Sequence, residues 1–571
     1  MKTAAKNGTV TRDDGVIRIT YKLFDLPTAQ HKAGLAGLVL QIRSMDERKI
    51  SKDRRPVIVA VTPTSASFEF TDASVQALFD DLYAAENVEV AVKAKWAGQT
   101  PIREEYVEET DTERKVHKSK RFVYKVVQPT GRFLRRHFPD GDGLWLKLWR
   151  NMLWEIPRGR PTTRIPFNTC AAGKACNEGA EGWKDLRAAE KSRLQNGFKT
   201  AAVSSALLLG AQAASAESIP FEGRVEQTFL LHFWPLTVLV FVPQLIKNDG
   251  ETEFAGFTLA IPEVSDLEQF CDDFPEMLQQ LDAEKRGYRP AGAVIDIPDQ
   301  SALEFMENLA KLTKGTVEKS QLRHSISSVE FMHLVKSGNN VKSMSAGRVA
   351  PRPELLSQYA MICGRKTSPY RNPLFRAGLL LALLQQRKWY ELFSEMLLNR
   401  PWQFFMRDEK TPQHMPWFFT DAATKFQQVE TNYWQERKEA AMSKSTNEKP
   451  TPALEMLIYR LVRNYVNHKT TEKTGIKWDD FKDKTVTDEK TGKSRIDVPQ
   501  AYREARAKIA GDVFLALRSR REQDFVDYFT ASVCSVGQYL PEDDFGVVAN
   551  AMLKSSEEVK VITLLALSAN S

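Results

Sequence analysis

The period of the apolar residues changes along this chain, and that change limits the fold more than any motif does. From Val16 to Leu23 (VIRITYKL) apolar and polar residues alternate, the spacing of a half-buried strand. Near the other end, Leu454, Leu457, Ile458, Leu461, Val462, Tyr465 and Val466 recur at i, i+3, i+4 and i+7, the spacing of an amphipathic helix. A chain that reads with period two early and period 3.6 late belongs to the α+β class. The expected architecture is mixed α/β N-terminal and central units followed by a C-terminal all-α helical bundle. At 571 residues the chain exceeds one ordinary core. Boundaries are expected at 1–215, 216–442 and 443–571. The last follows the polar linker Ser443 to Pro452, with Met442 or Met456 as an internal start.

The first unit reads as a strand to Leu23, a helix from Ala29 to Asp46, strands at Val57–Val61 and Ser67–Phe70, and a helix from Ser74 to Ala85. Gly34 and Gly37 on the first helix permit close packing. Gly182 to Ala214 reads as an Ala-rich helix pair, and Val225 to Val242 as strands. Ala293–Ile297 and Val329–Val335 read as strands, Gly338-Asn339-Asn340 as a turn, and Arg352 to Phe405 as helices. Lys469 to Arg495 is charged and poor in apolar residues, and reads as a mobile loop.

The apolar run Phe229 to Pro243 is broken by His232 and Pro235 and falls short of the ~20 residues that span a bilayer. No secretory signal opens the chain, and five scattered cysteines form no disulfide framework. A soluble, cytoplasmic protein with no membrane partner is expected.

Charge is distributed unevenly. The net charge is +7, but Thr112 to Arg164 holds 14 Lys and Arg against 4 Asp and Glu. Asp249 to Lys285 holds 11 acids against one base. The positive stretch is rich in Arg, whose planar fork suits phosphate. Lys118, Lys120, Arg121, Gln128, Arg132, Arg135, Arg136, Arg150, Arg158, Arg160 and Arg164 are the candidate nucleic-acid contacts there. Trp145, Trp149 and Trp154 among them read mainly as core. With no acid nearby to offset them, these cations favour nucleic acid. Asn339, Asn340 and Arg348 form a second group, and Arg503, Arg506, Arg518, Arg520 and Arg521 a third. For Arg518, Arg520 and Arg521 a helix C-terminus is the competing explanation. The acidic run reads equally as a docking face for a basic partner or as solvated surface.

Catalytic signatures are missing. No two of the eight histidines stand at i+3 or i+4. Cys170 and Cys176 are spaced C-x5-C with no second pair, and read as ordinary thiols rather than half a zinc site. Gly492-Lys493-Ser494 lacks the first glycine of a phosphate loop, and Asp543-Asp544-Phe545-Gly546 reads as a helix start. Asp140 and Asp142 read as a turn. No catalytic residue, metal or cofactor is assigned, and a non-catalytic protein is expected.

The opening Leu23-Phe24-Asp25-Leu26-Pro27-Thr28-Ala29-Gln30-His31-Lys32-Ala33-Gly34-Leu35-Ala36-Gly37-Leu38 resembles the N-terminal signature of large subunits of type I CRISPR surveillance complexes (Cascade), subtype I-B, MYXAN-type variant. Gln128-Pro129-Thr130-Gly131-Arg132, Asn372-Pro373-Leu374-Phe375-Arg376 and Ser535-Val536-Gly537-Gln538-Tyr539-Leu540-Pro541 are similar to later blocks of that family. The resemblance implies a subunit at the 5′ end of a guide RNA, beside the backbone, 5′-handle-binding and small subunits. Such a subunit recognises a protospacer-adjacent motif in target double-stranded DNA, aids duplex opening and R-loop stabilisation, and helps recruit a separate helicase–nuclease. The C-terminal bundle then resembles a small subunit. Carried onto these residues, Gln128, Arg132, Arg135 and Arg136 are the first candidates for motif contact. Arg503, Arg506, Arg518, Arg520 and Arg521 are candidates for the displaced strand. The rival readings are an RNA-binding or regulatory assembly protein outside DNA defence, and a metal-dependent nuclease with dispersed ligands.

Overall fold

The computed structural model describes residues 15–96, 98–110, 116–137, 165–204, 207–211, 221–281, 293–312, 325–337, 340–364, 368–407, 417–442, 452–487, 494–535 and 540–571. The chain divides into two compact units, Met1–Gln244 with Phe254–Leu356, and Leu245–Glu253 with Ser357–Ser571. The first is α+β and the second is mainly helical, the class expected from the two periodicities.

In the first unit, strands Ile17–Lys22, Ser65–Phe70 and Val57–Thr62 form an antiparallel sheet in that spatial order. Ile17, Ile19 and Tyr21 face inward while Arg18, Thr20 and Lys22 face out, as period two requires. Helix Ala29–Glu47 connects the first of these strands to the others and is buried on most sides. It passes close to the chain at Leu230 and Phe233. A Cβ on Gly34 would lie 2.3 Å from Leu230 O, and one on Gly37 2.2 Å from Phe233 O. Only glycine fits at either position.

The same helix lies over a second sheet, whose antiparallel strands Leu239–Ile246, Phe257–Val264, Ile326–Ser337 and Asn340–Val349 follow one another in space. Val294–Ile295 adds a short parallel pairing to the first of them. Ala33, Trp234, Val240, Val242, Leu259 and Ile261 share one core here. Helices Leu267–Gln280 and Gln300–Leu312 pack on each other through Phe274 and Phe305, with ring centroids 6.2 Å apart.

Two expectations are corrected in this unit, and one sheet is new. Val225–Leu230 is a helix and Trp234–Leu236 a 3-10 turn, and the strand starts only at Leu239. Six residues running into the apolar stretch Phe229 to Pro243 are too few to set a period, so strand and helix look alike in sequence. Gly182 to Ala214 is not a helix pair. One helix, Asn177–Leu194, covers its start, and strand Thr200–Ala202 follows. A third sheet, Ala85–Val92, Val116–Pro129 and Arg103–Thr110 in that spatial order, was not foreseen.

The second unit is built around helix Ser556–Ala569, buried at every residue from Val559 to Ser568. Helices Phe418–Met442, Leu454–Thr474, Gln500–Arg518 and Glu542–Lys554 contribute Phe426, Leu457, Leu461, Phe514 and Val548 to the same core. The apolar stripe of Leu454–Val466 faces it as expected. Lys469 to Arg495 is not simply a loop. The helix continues to Thr474, stops at Gly475 with φ +71°, and is followed by a turn and strands Thr485–Thr487 and Ser494–Ile496. Phe481 is buried against Tyr502, ring centroids 5.0 Å apart, and anchors this charged excursion. Among the described residues, no helix is long and apolar enough to cross a membrane.

Candidate nucleic-acid interface

Helix Asp72–Leu82 organises the surroundings of the basic stretch. Thr71 starts it with a reciprocal cap: Ser74 N donates to Thr71 Oγ1 at 3.1 Å, and Thr71 N donates to Ser74 Oγ at 2.8 Å. Its last turn carries Asp80 and Asp81. Asp81 is 5% exposed. Its carboxylate accepts from Gln41 Nε2 at 2.5 Å, from Arg48 Nη1 and Nη2 at 2.7 and 2.6 Å, and from Arg132 Nη1 at 3.0 Å. Two guanidinium groups therefore answer one buried carboxylate, which would be costly to bury without them. Asp80 Oδ1 accepts from Cys176 N at 2.9 Å and Gln76 Nε2 at 3.0 Å. Consecutive acids on one helix thus hold Arg132 and Cys176, on either side of the stretch 138–164.

Gln128-Pro129-Thr130-Gly131-Arg132 is a turn that delivers Arg132 to Asp81. The strand ends at Pro129, and Thr130 donates both its N–H (2.9 Å) and its Oγ1 hydroxyl (3.1 Å) to Ala84 O. Gly131 takes φ +54°, the left-handed region that glycine enters freely. Gln128 is half-buried opposite Glu86.

The idea that these cations lack acidic neighbours is corrected by the third sheet. Strand Arg103–Thr110 (REEYVEET) lies against Val116–Pro129, so Glu105 faces Arg121 and Glu108 faces Lys118. Lys120 Nζ lies 2.6 Å from Glu104. These glutamates precede residue 112, so a charge count starting there omits them. Arg136 is paired with Glu47. Arg135 lies on the short helix Arg132–His137. Arg150, Arg158, Arg160, Arg164 and Asn339 lie outside the described residues.

The other candidates occupy separate places. Asn340 opens the strand Asn340–Val349, at the end of a hairpin with Ile326–Ser337. Arg348, farther along that strand, lies 3.2 Å from Glu263, which also takes Lys32 at 2.8 Å and Ser328 Oγ at 2.6 Å. Burial pushes Glu263 up, yet the bonds from Lys32 and Ser328 outweigh it and hold the carboxyl below its usual range. Arg43 pairs with Asp272 at 2.6 Å. At these two points the acidic run neutralises cations of its own unit.

In the second unit, Arg503 Nη2 donates to Val498 O at 3.1 Å. Arg506 Nη2 donates to Asn570 Oδ1 at 2.7 Å, and burial lowers its guanidinium from the ordinary value. Arg518 gives hydrogen bonds to Leu398 O (2.5 Å) and Arg400 O, closing the end of helix Ser394–Asn399. Arg520 pairs with Asp524 at 2.5 Å and lies over the Tyr528 ring at 4.5 Å. Arg521 is exposed at the N-cap of helix Glu522–Ser532. Four of these five side chains therefore join parts of their own unit. The described members of the first two groups belong to one unit and those of the third to the other.

Asn372-Pro373-Leu374-Phe375-Arg376 is likewise a capping device. Asn372 Oδ1 accepts from Phe375 N at 3.0 Å, and Pro373 opens the helix. Asp421, 1% exposed, accepts the N–H groups of Arg371 (2.8 Å) and Asn372 (2.7 Å). Burial pushes its carboxyl up to about 6 despite those bonds. Asp80, Asp81 and Asp421 organise these sites, and nothing in their sequence spacing marks them.

The type I-B CRISPR Cas8b N-terminal domain model matches residues 56–319, and the type I-B CRISPR Cas8b C-terminal domain model matches residues 326–570. No curated protein matches the chain. The two matches follow one another over most of its length, and the first takes in the whole basic stretch with its Asp80–Asp81 anchor. The chain belongs to the Cas8b family and is a large subunit of a type I-B CRISPR system.

Proposed function

We propose that this large subunit, of the MYXAN-type variant, serves a guide-RNA surveillance complex as its reader of duplex DNA. It recognises the protospacer-adjacent motif, aids duplex opening, stabilises the R-loop and helps recruit a separate helicase–nuclease. The guide RNA supplies the sequence readout by base pairing, so the protein's task is to hold phosphates and a short motif. It carries no catalysis of its own.

One observation carries the reading: Asp80 and Asp81 fasten both sides of the Arg-rich stretch to a single helix. Arg132 is occupied by that fastening, so the phosphate contacts pass to Arg158, Arg160 and Arg164. Arg132 and the Cys176 backbone, held in place by these carboxylates, lose less conformational freedom when a ligand binds beside them.

The test is a guide complex assembled with and without this chain, offered a matched duplex with and without the adjacent motif. Motif-dependent binding and strand opening only when the chain is present are expected. Equal opening without it would refute the reading. DNA cutting by the isolated chain with magnesium or manganese would favour a nuclease instead.

A further inference from the structure

Three side chains converge on one point beside that anchor. Cys170 lies near the end of helix Ile165–Ala171, Cys176 stands at the N-cap of helix Asn177–Leu194, and Asp80 is on helix Asp72–Leu82. Their ligand atoms all lie within 4.8 Å of one another. A tetrahedral zinc ion with sulfur and oxygen ligands sets those atoms about 3.4–3.8 Å apart. The cluster is therefore near coordination distance before any adjustment.

The arrangement has the supports that metal ligands need. Gln76 Nε2 donates to Asp80 Oδ1 at 3.0 Å and to Cys176 O at 3.0 Å, and Cys176 N donates to the same carboxylate oxygen. These bonds fix the carboxylate and the Cys176 backbone together. The two thiols hydrogen-bond each other, and Glu178 adds negative charge beside the Asp80 carboxylate. Two sulfurs with one carboxylate suit a thiophilic divalent ion rather than magnesium or calcium.

We propose that Asp80, Cys170 and Cys176 bind a zinc-class divalent cation, with water in the fourth position. Binding displaces the thiol protons to solvent, and both thiolates and the carboxylate donate to the metal. The ion then ties the chain on the C-terminal side of the basic stretch to the helix that already holds Arg132.

The experiment uses the full chain, purified under reducing conditions and given Zn2+. Metal content after gel filtration and cobalt substitution read by thiolate-to-metal absorption are the two measurements. One zinc per chain is expected, with a cobalt band that disappears in Cys170→Ser and in Cys176→Ser. Gln76→Ala leaves all three ligands in place and is expected to weaken zinc on the order of tenfold or more. Circular dichroism confirms that each variant is folded. A folded, reduced wild type that takes up no zinc overturns the proposal, as does zinc retained by the double Cys→Ser variant. A Cys170–Cys176 disulfide without metal uptake after reduction overturns it as well.

Discussion

Asp81 bonds Arg48 from helix Ala29–Glu47 and Arg132 from the turn after strand Val116–Pro129, with Arg132 Nη1 at 3.0 Å. The carboxylate is buried while the Arg132 side chain is half exposed, so the two partners should not be equivalent. Asp81→Ala leaves Arg48 and Gln41 facing an empty place and should cost about 3 kcal/mol. Arg132→Ala should cost under about 1 kcal/mol, as exposed pairs do. Denaturant midpoints of the two variants check this, and equal losses would contradict it.

Gly37 sits where any side chain meets backbone: an added Cβ would be 2.2 Å from Phe233 O and 2.9 Å from Phe233 C. Gly37→Ala should destabilise the first unit by about 1–3 kcal/mol, since backbone cannot give way as a flexible side chain can. Hydrogen exchange in residues 29–47 should speed up, with little change in residues 454–474.

The two units should answer acid in opposite directions. His31 is fully buried, and burial lowers its imidazole from 6.5 to about 4. The fold favours neutral His31, so its contribution is present above pH 6.5 and is lost as pH falls towards 4. Asp421 is raised from 3.8 to about 6. The fold favours its protonated form, so that contribution is full below pH 3.8 and is lost as pH rises through 6. Each group changes stability by up to about 1.4 kcal/mol per pH unit inside its window. Hydrogen exchange at pH 4.5 and 6.5 should show protection around residues 29–40 falling at the lower pH and protection around 371–380 rising. Asp421→Asn should abolish the second trend.

The legible parts of this fold were those where one period or one steric need acts alone. The stripe from Leu454 to Val466, the alternation at Ile17–Lys22 and the glycines at 34 and 37 are such cases. Strand Val116–Pro129 went unseen because its charges drew attention from Val123, Tyr124 and Val126, its buried residues. Val225–Leu230 misled because six residues running into an apolar stretch are too few to show a helical period. The candidate interface was less legible for a different reason. Lys120 and Glu104 are brought together by strand register, and Arg132 and Asp81 by tertiary packing across 51 positions. A count of charge along the chain records neither.

The most direct measurement is the salt dependence of target-duplex binding by the assembled complex carrying Arg158→Ala, Arg160→Ala and Arg164→Ala together. Asp81, Arg48 and Arg132 all remain in this variant, so loss of binding would not reflect removal of that anchor. If each holds a phosphate, the slope of log affinity against log salt should flatten by about 2.7, with assembly on the guide RNA unchanged. An unchanged slope and affinity would contradict the assignment of this stretch to DNA.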